Sequence, residues 1–149
     1  MRGIVQRVVS ARLSVDGQEV SRISAGILVY ASVGAQDSKA DVEYVAKKIV
    51  GLRIFNDEEG KFNLDLGQVG GEVLLVSNFT IHGDARKGRR PSFGAAAEPE
   101  RAAELLSELA EQIRREGIKV AEGRFGAHMQ VESVNDGPVN ILLDSGKVF

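Results

Sequence analysis

Two hydroxyls, an amide and an aromatic gather at the end of one apolar run, Ser77-Asn78-Phe79-Thr80, with His82 two residues past Thr80. On a strand reaching Ile81, Thr80 and His82 share a face, because side chains alternate. A Thr–His nucleophile pair is one chemistry this spacing allows, the imidazole taking the hydroxyl proton. No acid partner for the His is evident, and a solvated strand-end His is the commoner occupant of such a position. His128 stands among Phe125, Met129 and Val131, where a surface or core role outweighs a ligand role. Two distant histidines without His-x-Glu or His-x-x-x-His spacing give no metal site, and neither metal nor cofactor is expected.

A second candidate is the run Arg86-Lys87-Gly88-Arg89-Arg90, cationic at every position but the glycine and followed by Pro91 and Phe93. Most charge runs are solvated loops. A short basic loop beside an aromatic also suits a phosphate backbone and an unstacked base, as at the end of an RNA strand. The third is Asn135-Asp136-Gly137-Pro138-Val139-Asn140. Asp-Gly between apolar runs is hairpin chemistry, since Gly accepts positive φ without a Cβ clash. Pro138 removes a backbone donor where the next strand should begin pairing, so it belongs at a strand start or an edge. An X-Pro bond is also where a cis peptide is least costly.

The elements that must position these residues belong to one domain spanning 1–149. With 43% hydrophobic and 27% charged residues the chain is an ordinary globular one. Its net charge of −2 gives no global case for nucleic-acid binding, so any such case is local. The absence of Cys excludes thiol catalysis and disulfides and fits a reducing compartment. The longest uncharged run, Ile23 to Gln36, falls short of the ~18 residues of a membrane span. Arg2 and Arg7 bracket the early apolar pair Ile4-Val5, unlike a signal peptide. A cytoplasmic location without membrane contact is the expectation.

Residues 2–15 alternate as strand, with Arg7 opposite in direction to Gln6 and Val8 and suited to burial against a carbonyl-rich turn. Asp16-Gly17 turns the chain into a return strand, Glu19 to Ile23. Ile27 to Val33 is a continuous apolar run, as in a strand covered on both faces. A helix follows, capped by Asp37 or Ser38, with Val42, Val45, Ala46 and Ile49 at helical spacing. Arg53 to Asn56 reads as a short strand, Gly67 to Gly71 as a loop, and Glu72 to Ile81 as a second buried strand. Pro99 opens a second helix with the stripe Ala102, Leu105, Leu106, Leu109, Ala110, Ile113, and Gly117 stops it. Three further strands start at Ile118, Ala127 and Val139. The predicted class is α/β of the α+β type. It has a mixed, largely antiparallel sheet with two helices on one face, in the order β-β-(β-α)-(β-α)-β-β-β.

Along its whole length the chain resembles the D-aminoacyl-tRNA deacylases. The match runs through Met1-Arg2, Val5-Gln6-Arg7-Val8, Lys48 to Phe55, Val76 to Ile81, Gly88 to Phe93 and Gly123 to Val139. Two segments carry it: Ser77-Asn78-Phe79-Thr80 in place of the family's Ser-Gln-x-Thr, and Asn135-Asp136-Gly137-Pro138-Val139-Asn140 in place of Asn-x-Gly-Pro-Val-Thr.

The resemblance implies a homodimer formed through the sheet, in which a cis Gly137-Pro138 bond reaches into the partner's pocket. There the two carbonyls block the direction that an L side chain needs, while a D side chain or the hydrogen of glycine escapes. Arg7, Asn135, Val139, Asn140 and Met129 support that arrangement. It also implies that Ser77, Asn78, Phe79 and Thr80 form the catalytic segment, where backbone groups around Phe79 and Thr80 bind the ammonium and the adenosine end. The ester of the tRNA 3′ end is cleaved with help from the terminal 2′-hydroxyl, and Arg86, Lys87, Arg89, Arg90 and Phe93 hold tRNA. Glycine mischarged on a tRNA for alanine is a second expected substrate. Asn78 is one methylene shorter than Gln, and Asn140 replaces Thr; both keep hydrogen-bonding capacity. The competing readings are a hydrolase with Thr80 as nucleophile and a noncatalytic RNA-binding module.

Overall fold

A computed structural model describes residues 1–148. The chain runs β1 (Arg2–Val15), β2 (Gln18–Ile23), β3 (Gly26–Ser32), α1 (Lys39–Gly51), β4 (Phe55–Asn56), β5 (Phe62–Leu64), β6 (Glu72–Ser77), α2 (Pro99–Arg115), β7 (Val120–Glu122) and β8 (Gln130–Asp144), with a 3-10 turn at Phe79–His82. β1 pairs antiparallel with β2, β3 and β8, whereas β3–β6 and β6–β7 are parallel. This is the expected mixed sheet, in a single α+β domain.

Both helices form where the apolar spacing places them. Ser38 caps α1, its N–H donating to the Asp41 carboxylate at 2.8 Å. Pro99 opens α2, and Gly117, at φ +82°, takes the left-handed conformation that ends it. Val42, Val45 and Ile49 of α1 join Leu105, Leu109 and Ile113 of α2 over β3 and β6 in one core. Truncating one such leucine to alanine costs about 2–5 kcal/mol. On the opposite face, Leu28, Leu74 and Val76 meet Val8, Ala11, Leu13, Val15 and Ile23 from β1 and β2. The run Ile27 to Val33 is apolar on both faces, Ser32 apart, because helices cover one side of β3 and curled sheet covers the other.

Three expectations require correction. The strand predicted to reach Ile81 ends at Ser77, and Phe79–His82 turns as a 3-10 helix, so Thr80 and His82 are not strand neighbours on one face. The segment around Asp136-Gly137 is not a hairpin turn between strands from Ala127 and Val139. β8 is one strand beginning at Gln130, and both halves pair with β1. Third, β5 was not anticipated; it pairs with β4 as a separate two-stranded sheet. The final strands are therefore β7 and β8, not three, and the predicted element order does not hold there.

Candidate active site

β3 and β6 lie side by side and parallel, and both end at the same edge. Open parallel sheets bind ligands beyond the carboxyl ends of their strands. A cleft of about 700 Å³ opens there, walled by Ser32 at the end of β3 and Val33 just past it, Ser77 to Thr80 at and beyond the end of β6, the start of α2, and the Phe125–Met129 loop. Among the predicted residues Ser77, Asn78, Phe79, Thr80, Phe93 and Met129 converge on it. Tyr30, Phe125 and Glu98 also line it and escaped the sequence reading. Each lay in a segment that reads as plain strand, loop or helix start. Among the described residues Glu98 is the one carboxylate in the wall.

The Asn78 N–H donates to the Ala31 carbonyl at 2.8 Å, prolonging β6 by one residue before the chain turns. Its Oδ1 then accepts from the Thr80 N–H at 3.2 Å and from the Thr80 hydroxyl, capping the 3-10 turn. A side chain of this length closes such a ring locally. The Thr80 proton thus rests on a neutral amide, which cannot act as the base a nucleophilic hydroxyl needs. Phe79 is 58% exposed, and its ring meets Phe93 edge to face, 5.1 Å between centroids at 75°. Gly83 permits this contact: a Cβ there would lie 3.0 Å from the Phe93 ring.

His82 is buried, contrary to a solvated strand-end role. Its Nδ1 lies 2.6 Å from the Ser32 Oγ, beneath the turn that carries Phe79 and Thr80. Burial, reinforced by the positive charge of Arg2, holds its pKa below the usual imidazole value. His128 lines the outer cleft and is exposed.

The basic run forms an arm beside the cleft. Asp84 and Ser92 exchange backbone hydrogen bonds of 2.7 and 2.9 Å at its base, and Gly88 takes φ +77° near its tip. Arg86 folds back onto Asp84, whose carboxyl it holds well below the usual carboxylate range. Lys87, Arg89 and Arg90 are exposed and form no ion pair among the described residues.

Gly137 and Pro138 are absent from the cleft wall of their own chain. Gln6 pairs with Asn140 and Val8 with Asn135, so Arg7 alone stands opposite Asp136, Gly137, Pro138 and Val139, which bulge from β8. The Gly137–Pro138 peptide is cis. Amides tie the base of the bulge: Gln6 Nε2 donates to Asn140 Oδ1 at 2.8 Å, Asn140 Nδ2 to Asn135 Oδ1 at 3.2 Å, and Asn135 Nδ2 to the Arg7 carbonyl at 2.8 Å. Val139 is buried and roots the bulge in the core, while Gly137 and Pro138 are exposed. Gln6 had no assigned role in the sequence reading; its partner is distant in the chain, so no local signal could reveal it.

A family model described as D-Tyr-tRNA(Tyr) deacylase matches residues 4–144. The chain belongs to the D-Tyr-tRNA(Tyr) deacylase family. It is 52% identical over 149 residues to a D-aminoacyl-tRNA deacylase of Thermosipho africanus, covering 100% of both chains. To that of Desulfatibacillum aliphaticivorans it is 54% identical over 145 residues, covering 97% of this chain and 99% of the relative. Among solved structures, one named c-Myc DNA Unwinding Element Binding Protein superposes with a TM-score of 0.91 at 36% identity, covering 97% of this chain and 98% of that one. A probable eukaryotic D-amino acid tRNA deacylase shares the fold, with a TM-score of 0.81 at 18% identity over 95% and 97% of the two chains. As a member of that family this chain is an enzyme, a hydrolase of the aminoacyl-tRNA ester. No helix among the described residues is long and apolar enough to cross a membrane.

Proposed function

We propose that this deacylase removes D-amino acids from tRNA by excluding L side chains from a cleft completed by a second copy of the chain. The 3′ end enters the cleft between Phe79, Phe93 and Phe125, and the aminoacyl ester comes to rest near Ser77–Thr80. The carbonyls of Gly137 and Pro138 from the partner close the side an L substituent would occupy. Discrimination by such a wall needs rigidity more than tight binding.

The observation that carries this reading is a separation within one chain. The cleft is lined by Asn78, Phe79 and Thr80, while the braced bulge bearing Gly137 and Pro138 is exposed outside it. A cross-subunit site in a homodimer brings the two together. The chemistry is spare: the protein orients ester and water, and the terminal 2′-hydroxyl of the ribose assists the attack. Positioning of this kind supplies much of a rate without a side-chain nucleophile. Glycine carries no side chain in either direction, so glycyl-tRNA for alanine is admitted by the same wall. The arm of Arg89 and Arg90 follows the phosphate backbone.

Incubation with D-tyrosyl-, L-tyrosyl- and glycyl-tRNA, with the solution mass measured in parallel, tests the proposal. Rapid release of D-tyrosine and glycine, slow release of L-tyrosine and a dimer mass are expected. Protection of the D ester in place of cleavage would establish the noncatalytic nucleic-acid binder, a reading favoured by the unpaired cations of the arm. A monomer that still discriminates D from L would refute the cross-subunit wall.

A further inference from the structure

The small β4–β5 hairpin lies outside the main sheet and outside the cleft, and two-stranded hairpins on their own are at best marginally stable. Its tip is locally well organised: Asp57 Oδ1 accepts from the N–H groups of Glu59 and Lys61, each at 3.0 Å, and Gly60 takes φ +77°. Its base meets the Arg7 guanidinium. Arg7 Nη1 donates to the Ile54 carbonyl at 2.6 Å and to Asn56 Oδ1 at 3.3 Å, and the guanidinium carbon lies 5.3 Å from the centre of the Phe62 ring. Asn56 and Phe62 are directly opposite each other across the hairpin. One cross-strand pair therefore supplies both an oxygen and an aromatic face to one cation.

The other side of the same guanidinium faces the bulge. Arg7 Nε lies 2.9 Å from the Asp136 carboxylate and 3.3 Å from the Asp136 carbonyl. Arg7 Nη2 would be 3.3 Å from a Cβ built on Gly137. Arg7 is 6% exposed, so its charge is held by these neighbours more than by water. Phe62, by contrast, is 56% exposed. An aromatic left that far in solvent contributes little to a core, yet its ring sits over a buried cation.

We infer that Asn56 and Phe62 are positioning residues for stereochemical discrimination. The β4–β5 hairpin holds one side of the Arg7 guanidinium so that the other side fixes Asp136 and Gly137. Without that brace Arg7 can tilt toward the hairpin, and the bulge follows it. The inference rests on the reading of Gly137–Pro138 as the wall against L substrates, and adds a remote element that sets where the wall stands.

The test is hydrolysis of D- and L-tyrosyl-tRNA by the full-length chain carrying Phe62→Ala, Phe62→Leu, Phe62→Tyr or Asn56→Ala, beside Gly137→Ala. For Phe62→Ala, Phe62→Leu and Asn56→Ala the D-to-L ratio of kcat/KM is expected to fall about tenfold, the scale of one lost contact to a charged group. The fall should come from faster hydrolysis of the L ester, a gain that impaired folding cannot produce. Phe62→Tyr keeps the ring face and should keep the ratio. An unchanged ratio in Phe62→Ala and Asn56→Ala, with a collapsed ratio in Gly137→Ala, overturns the brace and leaves the wall standing. An unchanged ratio in Gly137→Ala, with the bulge displaced in its structure, overturns the wall and the brace with it. Equal behaviour of Phe62→Leu and wild type would also overturn the inference, since apolar bulk alone would then suffice.

Discussion

Gly137 has φ +126°, a region that residues with a Cβ rarely adopt, and Gly137→Ala is therefore the sharpest single perturbation of the bulge. Holding alanine in such a conformation costs about 1–3 kcal/mol. The added Cβ would also stand 2.6 Å from Val139 Cγ2, 2.9 Å from the Val139 nitrogen and 3.3 Å from Arg7 Nη2. The nitrogen is backbone and cannot swing aside, and Val139 is only 7% exposed, so turning its side chain disturbs the core. Relief must come from moving the bulge. A penalty of about 3 kcal/mol shifts a two-state equilibrium roughly a hundredfold. The D-to-L ratio of tyrosyl-tRNA hydrolysis should drop ten- to a hundredfold on that scale. Parallel time courses on the two esters measure it, and a melting curve verifies that the variant is folded at the assay temperature. A ratio equal to wild type, in a variant whose structure shows the bulge displaced, would refute the reasoning.

Thr80→Ala should leave deacylation of D-tyrosyl-tRNA within about tenfold of wild type, because the Thr80 hydroxyl donates to a neutral amide; a fall of roughly ten-thousandfold in kcat would mark Thr80 as the nucleophile. Neutralising Arg89 and Arg90 together should flatten the plot of log affinity for tRNA against log salt by about 1.4–1.8, as for two phosphate contacts. Arg86→Gln should flatten it less, since Arg86 is already engaged with Asp84. His82 binds a proton less readily folded than unfolded, so its contribution to stability is complete above about pH 6.5 and declines as the pH falls from there toward the lowered folded value. Urea unfolding at pH 7.5 and 5.5 should show a smaller acid-side loss in His82→Gln than in wild type; equal losses would count against the assignment.

Much of the architecture is local in origin and hence legible in the residues themselves. The stripe from Ala102 to Ile113, opened by Pro99 and closed by Gly117, needs no partner to declare a helix, because its period and its ends are properties of neighbouring residues. Ile27 to Val33 declares a doubly covered strand in the same way. The placing of Ser77–Thr80 at a strand end was also readable, and those residues do reach the cleft. Pairing is different, since which strand lies alongside another is settled by residues far apart in the chain. Asn135 to Asn140 has the chemistry of a hairpin turn, yet both flanks pair with β1, and the same residues become a bulge braced by Arg7. A turn and a bulge use the same Gly and the same short polar side chains, so only the partner distinguishes them. His82 follows the same logic: an isolated imidazole after an apolar strand looks solvated until Ser32, fifty positions earlier, is brought beneath it. Local periodicity determined the elements, and long-range pairing decided which groups those elements hold against each other.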